Sequence, residues 1–129
     1  MHGFEYAKEN RANGVEFDTT LTKDGVTVVY HGPSMRNTVC NKNSNIYEYT
    51  YDELQTKCPL KNGEKISTLE DTLKEIKGRF DYYFVELKVY DPKKSESQAL
   101  DAINIVNKLG MQDRVVFTSY DTIANYIIG

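Results

Sequence analysis

A chain of 129 residues with a formal net charge of −3 has room for one domain with a substantial core and not for two. Hydrophobic residues make up 40% and charged residues 27%, and no apolar run approaches the roughly 18 residues that a bilayer-spanning helix needs. The acidic balance excludes a protein that works by wrapping nucleic acid, which requires a clustered basic surface. The expectation is therefore a single domain over residues 1–129, with no nucleic-acid partner and no stable membrane insertion. No signal-peptide pattern opens the chain, so the expected location is cytoplasmic.

Taken in order, residues 4–12 (FEYAKENRA) are helix formers followed by Asn13 and Gly14, the residue types that stop a helix. A helix is expected there. GVEFDTTL and VTVVYH are β-rich runs on either side of Lys23, Asp24 and Gly25, and Asp-Gly between two such runs signals a hairpin. Residues 32–46 are polar and aperiodic and read as a loop. Cys40 and Cys58 show neither a CxxC nor a paired-histidine spacing, which argues against zinc. Two free thiols in a reducing compartment are expected rather than a disulfide.

Thr50 with Glu53, Ser67 with Glu70 and Ser95 with Gln98 each match a capping box and mark three helix starts. The second helix carries Leu69, Leu73 and Ile76 on one face and stops at Gly78; the third carries Ala99, Ala102, Ile103 and Val106 and stops at Gly110. Between and after them, DYYFVELKVY and RVVFTSY are short β-rich runs, and Asp121 caps a last helix, TIANYII. Strand, helix, strand, helix is the pattern of parallel βα units. About four strands are expected: 14–21, 26–31, 82–89 and 114–119.

Side chains alternate faces along a strand, so Glu16 and Asp18 share one face. A two-residue Asp24-Gly25 turn would pair Lys23 with Val26 and, counting outward, Asp18 with His31. In the later strand Tyr82, Phe84, Glu86 and Lys88 share a face, and two charges in an otherwise apolar strand are costly unless paired or metal-bound. An exposed Glu86–Lys88 ion pair and two solvated acids on an edge hairpin are the bland alternative.

Together, VEFD, LTKDG, VVYHG, STLEDTL, VELK and KLGMQDRVVFTSYD resemble, in order and spacing, the motifs of the glycerophosphodiester phosphodiesterase family, from about Phe4 to the end of the chain. The resemblance implies an α/β fold, an incomplete phosphodiesterase barrel of the (β/α) TIM type with about four strands, one β-hairpin and flanking helices. It lacks the family's first strand, with its HRG motif, and the last strands. His2 and Gly3 echo that motif but lie too near Glu16 to serve as it, and Gly32 stands where the family usually has an aspartate after the strand-end histidine. The resemblance further implies that Glu16, Asp18 and Glu86 bind one divalent cation, Mg²⁺ or Ca²⁺, that Lys88 meets the phosphate, and that His31 is a catalytic proton-transfer group. The implied activity is metal-dependent hydrolysis of glycerophosphodiesters to glycerol 3-phosphate and an alcohol. The alternative is an inactive metal- or phosphate-binding remnant acting as an interaction module. Open barrel edges would favour a homo-oligomer.

Overall fold

The computed structural model describes residues 7–10 and 14–121, together with 123, 124 and 127. Five strands form one sheet: β1 (Ala7–Asn10), β2 (Gly14–Leu21), β3 (Thr27–Val29), β4 (Tyr82–Leu87) and β5 (Val115–Thr118). Among the described residues the helices α1 (Tyr51–Lys57), α2 (Leu69–Ile76) and α3 (Ser95–Lys108) accompany them. The order is β1-β2-β4-β5, with β3 also on β2. β2, β4 and β5 run parallel, while β1 and β3 lie antiparallel along the first and last parts of β2. This is an incomplete barrel wall built from parallel βα units, as the sequence implied.

The helix expected over 4–12 is not found where the chain is described, since Ala7–Asn10 is a strand paired from Ala7↔Phe17 to Asn10↔Gly14. A lone helix of nine residues is marginal in water, and the unpaired side of β2 offers a complete ladder of hydrogen bonds instead. His2, residues 4–6 and 11–12 of that stretch, and residues 122, 125, 126 and 128 of the expected last helix lie outside the described residues. Ile123, Ala124 and Ile127 are helical, and the Asp121 carboxylate accepts from the Ala124 amide at 2.9 Å, as its capping role requires.

The main core lies between the sheet and the helices. Val15, Phe17, Tyr83, Val85 and Leu87 point outward from the barrel wall and are buried against Leu69, Leu73 and Ile76 of α2 and Ala99, Ala102 and Val106 of α3. The opposite residues of β2 and β4 therefore face the barrel interior. Two helix starts differ from expectation. Ser67 gives its carbonyl to the Val29 amide, so the cap of α2 moves to Thr68, which accepts from the Asp71 amide. Asp91 opens a 3₁₀ turn, Pro92–Lys94, that runs into α3. Ser95 Oγ donates to the Pro92 carbonyl, and Gln98 Nε2 donates to the Lys88 carbonyl at 3.0 Å, tying α3 to the end of β4. The capping box on α1, Thr50 with Glu53, is present as read.

The stretch read as a loop is ordered and has a core of its own. Val28, Tyr30, Met35, Ile46, Leu54, Leu60 and Ile66 form a second buried cluster, and a Cys40–Cys58 disulfide closes across it with Cα atoms 5.3 Å apart. The expectation of two free thiols is thus overturned. Proximity in the fold brings these cysteines together, and their spacing in sequence carries no trace of it. Among the described residues no helix is long and apolar enough to cross a membrane.

The hairpin turn also departs from the two-residue form. Thr22 and Val26 bond through the Thr22 amide and Val26 carbonyl, the Gly25 amide donates to the Thr22 carbonyl, and Gly25 has φ +84°. This is a three-residue loop whose last residue takes the left-handed conformation that glycine supplies. Asp24 accepts from Thr22 Oγ1 at 2.5 Å and from the Tyr51 amide at 3.0 Å, docking the turn onto α1. The Thr22 hydroxyl, helped by the Tyr51 amide, holds the Asp24 carboxyl below its ordinary value of 3.8 against the opposing effect of burial. A carboxyl depressed on folding stabilises above its unfolded pKa and loses that contribution as pH falls through the folded one. Asp24→Ala is expected to melt about 4 °C lower at pH 7, with the gap closing as pH drops below 3.8. Thermal melts at pH 7 and pH 2.5 check this, and a gap of equal size at both would contradict it.

Candidate functional site

Asp18 and Glu86 are register partners on the adjacent parallel strands β2 and β4, and Glu16 lies opposite Phe84 one layer below. All three carboxylates face the barrel interior. Glu16 is exposed, whereas the Asp18 and Glu86 side chains retain only 14% and 18% of their exposure. A parallel sheet presents such residues because both strands share the same two-residue alternation.

The turn geometry changes the route by which His31 arrives. With Thr19↔Val29 and Thr20↔Val28 as the register, the residue across from Asp18 is Tyr30, whose amide donates to the Asp18 carbonyl at 3.2 Å. The expected Asp18–His31 pairing is therefore displaced by one residue, as a third loop residue dictates. Tyr30 is fully buried and its hydroxyl donates to the Ser34 carbonyl at 2.6 Å. His31 lies just past the strand, 60% exposed, and its Nε2 is still 3.6 Å from Asp18 Oδ2. Gly32 follows at φ +90°, a backbone conformation that suits glycine better than the aspartate usual at this point.

Lys88 Nζ stands 2.8 Å from Glu86 Oε2. The Lys88 ammonium is thus the partner of this buried carboxylate oxygen. Its hydrogen-bonding contact with Glu86, together with the charges of Glu86 and Asp18, raises the Lys88 ammonium above its usual value against desolvation. Lys88 also lies over the Tyr120 ring, 5.7 Å from its centroid. Burial raises the Asp18 carboxyl, and the charge of Glu86 adds to this, while Lys88 and His31 oppose it. The site thus concentrates negative charge beyond what its cations offset.

Among the described residues no three acids, histidines or cysteines already stand together as a metal cage, because Glu86 leans on Lys88 and Asp18 on His31. The donor chemistry nevertheless fits a hard divalent cation. The three groups are carboxylates on one face of the sheet.

Ser119 is structural: its Oγ donates to the Leu87 carbonyl at 2.9 Å and accepts from the Asp121 amide at 3.0 Å, which joins β5 to β4. A cleft of ≈ 380 Å³ opens beside it, lined by Lys88, Tyr90, Tyr120 and Asp121. The sequence reading gave Tyr47 and Tyr90 no place at the site. Their rings meet with centroids 5.8 Å apart. Tyr90 continues the inward alternation of Tyr82, Phe84, Glu86 and Lys88, a signal the sequence does contain. Tyr47 arrives from the ordered excursion and has no such signal.

Residues 1–124 match the sequence pattern of the Glycerophosphoryl diester phosphodiesterase family. A protein of Bacillus subtilis, described as uncharacterized protein YqiK, is 30% identical over 129 residues, covering 94% of this chain and 51% of its own. A glycerophosphodiester phosphodiesterase structure from Parabacteroides distasonis aligns at 34% identity and TM-score 0.71, over 84% of this chain and 44% of that one. A phosphodiesterase from Oleispira antarctica, solved in complex with the product sn-glycerol-3-phosphate, aligns at 21% identity and TM-score 0.74, over 87% of this chain and 47% of that one. The chain thus spans about half the length of these relatives.

Proposed function

Because the chain belongs to the glycerophosphoryl diester phosphodiesterase family, we propose that it supplies the metal- and phosphate-binding wall of a site that hydrolyses glycerophosphodiesters to glycerol 3-phosphate and an alcohol. The observation that carries this reading is the pairing of Asp18 with Glu86 across β2 and β4, with Lys88 and His31 beside them. The product held by the structurally similar Oleispira enzyme supports the choice of substrate class.

In this reading Glu16, Asp18 and Glu86 hold Mg²⁺ or Ca²⁺. When bound, such an ion supplies charge for the phosphoryl oxygens and lowers the pKa of a hydroxyl it contacts. Lys88 receives the phosphate as a point charge, and the backbone that carries it is held by the Gln98 hydrogen bond to the Lys88 carbonyl. His31 exchanges the proton of the attacking or leaving hydroxyl, its ring steadied by the contact with Asp18. A second copy paired through the β1 or β5 edge of the sheet belongs to the same proposal as a means of closing the barrel.

One observation favours a second reading, a binding module without turnover. His31 is 60% exposed, with a single 3.6 Å carboxylate contact, and the next residue in sequence, Gly32, supplies no second acid. The deciding assay is release of glycerol 3-phosphate from glycerophosphocholine and glycerophosphoethanolamine with Mg²⁺ or Ca²⁺, then with chelator, with Glu16→Ala as the blank. Release that vanishes with chelator and in the variant supports hydrolysis. Metal binding by folded protein with no release above the blank supports the binding module.

A further inference from the structure

We propose that Tyr30 is a positioning residue for His31, its buried hydroxyl bracing the loop that presents the imidazole to the strand carboxylates; the proposal rests on the proton-transfer role given to His31 in the hydrolytic reading above. The Tyr30 ring is fully buried in the second cluster with Met35, Ile46 and Leu54, whereas the His31 side chain is 60% exposed beside Asp18. Tyr30 is tied on both sides of His31. Its amide donates to the Asp18 carbonyl at 3.2 Å and holds the strand end, and its hydroxyl reaches forward to the Ser34 carbonyl at 2.6 Å, closing the chain over His31, Gly32 and Pro33.

Beyond that span the chain is anchored in the excursion. The Pro33 carbonyl accepts from the Ile46 amide at 2.7 Å, the Met35 amide donates to the Ser44 carbonyl at 3.0 Å, and the Ser34 hydroxyl donates to the Lys42 carbonyl at 2.7 Å. The Tyr30 hydroxyl joins this anchored segment to the end of β3. Gly32, at φ +90°, lets the chain turn between them and adds no side chain to fix it. Because the imidazole has one carboxylate contact, at 3.6 Å, its direction is set by the backbone that carries it. Burial raises the Tyr30 phenol, against hydrogen bonding from Asn37 and the charge of Arg36, so the group stays a donor through neutral pH. A proton-transfer group must stand within hydrogen-bond reach of its proton, and a misplacement of about 1 Å costs on the order of a hundredfold in rate. A brace on this loop therefore acts on turnover and not on phosphate or ion affinity, which belong to β2 and β4.

The test pairs Tyr30→Phe with Tyr83→Phe. Tyr83 is a matched control, since it is equally buried and its hydroxyl also donates to a backbone carbonyl, that of Ile76 at 2.7 Å, but within the core under the sheet. Each variant loses one buried donor, so both should melt lower by similar amounts. Backbone amide NMR relaxation of the metal-free chain should show fast motion gained over residues 31–36 in Tyr30→Phe alone. In the hydrolysis assay Tyr30→Phe should lower kcat about ten- to a hundredfold, with the KM for glycerophosphocholine and the binding of Mg²⁺ little changed, while Tyr83→Phe keeps kcat. Unchanged motion of the loop in Tyr30→Phe, or equal losses of kcat in the two variants, overturns the proposal. A loosened loop in a protein whose parent chain shows no turnover would sink the hydrolytic reading and leave the brace standing. Turnover that Tyr30→Phe does not slow would sink the positioning role alone.

Discussion

Glu86→Gln is expected to weaken Mg²⁺ or Ca²⁺ binding by about a hundredfold or more, since replacing even the outer partners of metal ligands costs about 10- to 100-fold. It should also take glycerol 3-phosphate release to the level of the Glu16→Ala blank. The argument is electrostatic. Asp18 and Glu86 are partners on neighbouring strands, a spacing of about 5 Å, where two carboxylates at an effective dielectric near 20 repel by about 3 kcal/mol. Lys88 offsets part of this at 2.8 Å from Glu86, but His31, 3.6 Å from Asp18 and largely exposed, offsets little. Lys88 carries one charge against the three carboxylates, and a divalent cation is the species whose charge and oxygen preference match what is left over. Glutamine keeps the shape and one acceptor oxygen of the side chain, so the fold should survive; because the repulsion with Asp18 also disappears, the melting temperature without metal should hold or rise. Calorimetric titration with each ion and a thermal melt read the two effects separately. Unchanged ion binding in Glu86→Gln would remove Glu86 from the ligand set.

Much of the site was legible because it rests on periodicity. Glu16 and Asp18 two apart in β2, and Glu86 and Lys88 two apart in β4, fall on one face of a sheet whatever surrounds them. The helices that cover the other face announce themselves by Leu69, Leu73 and Ile76 and by Ala99, Ala102 and Val106 at helical spacing. The hairpin was legible as a hairpin but not in its register, because Lys-Asp-Gly serves equally as two turn residues after a strand or as a three-residue loop. That single residue decides whether Tyr30 or His31 lies across from Asp18. β1 escaped notice because AKEN has no strand signature; pairing with β2 imposes the extended form on it. The excursion between β3 and α2 was the least legible. Met35, Ile46, Leu54 and Leu60 meet in space without any period along the chain, so neither their cluster nor the position of Tyr47 could be read from local pattern.

The disulfide makes a second large prediction about that excursion. Replacing both cysteines, as Cys40→Ala with Cys58→Ala, is expected to cost about 3 kcal/mol, the chain-entropy value for a closed loop of this size, given a separation of 18 residues. The loss should be local. The cluster around Met35, Ile46 and Leu60 is separate from the core under the sheet, so hydrogen-exchange protection should fall in residues 30–66 and persist in β2 and β4. Mild reduction of the native protein by a dithiol should reproduce the same pattern. Because the strand carboxylates lie outside the excursion, the opened protein should keep whatever divalent-ion binding they provide. A denaturation midpoint and exchange pattern unchanged in the double variant would mean that the hydrophobic cluster alone holds the excursion. A bond of this kind persists in oxidising surroundings and is rare in the cytosol. The structural role assigned to it therefore stands against the expected cytoplasmic location, and the free thiol content of protein recovered from its native compartment decides between the two.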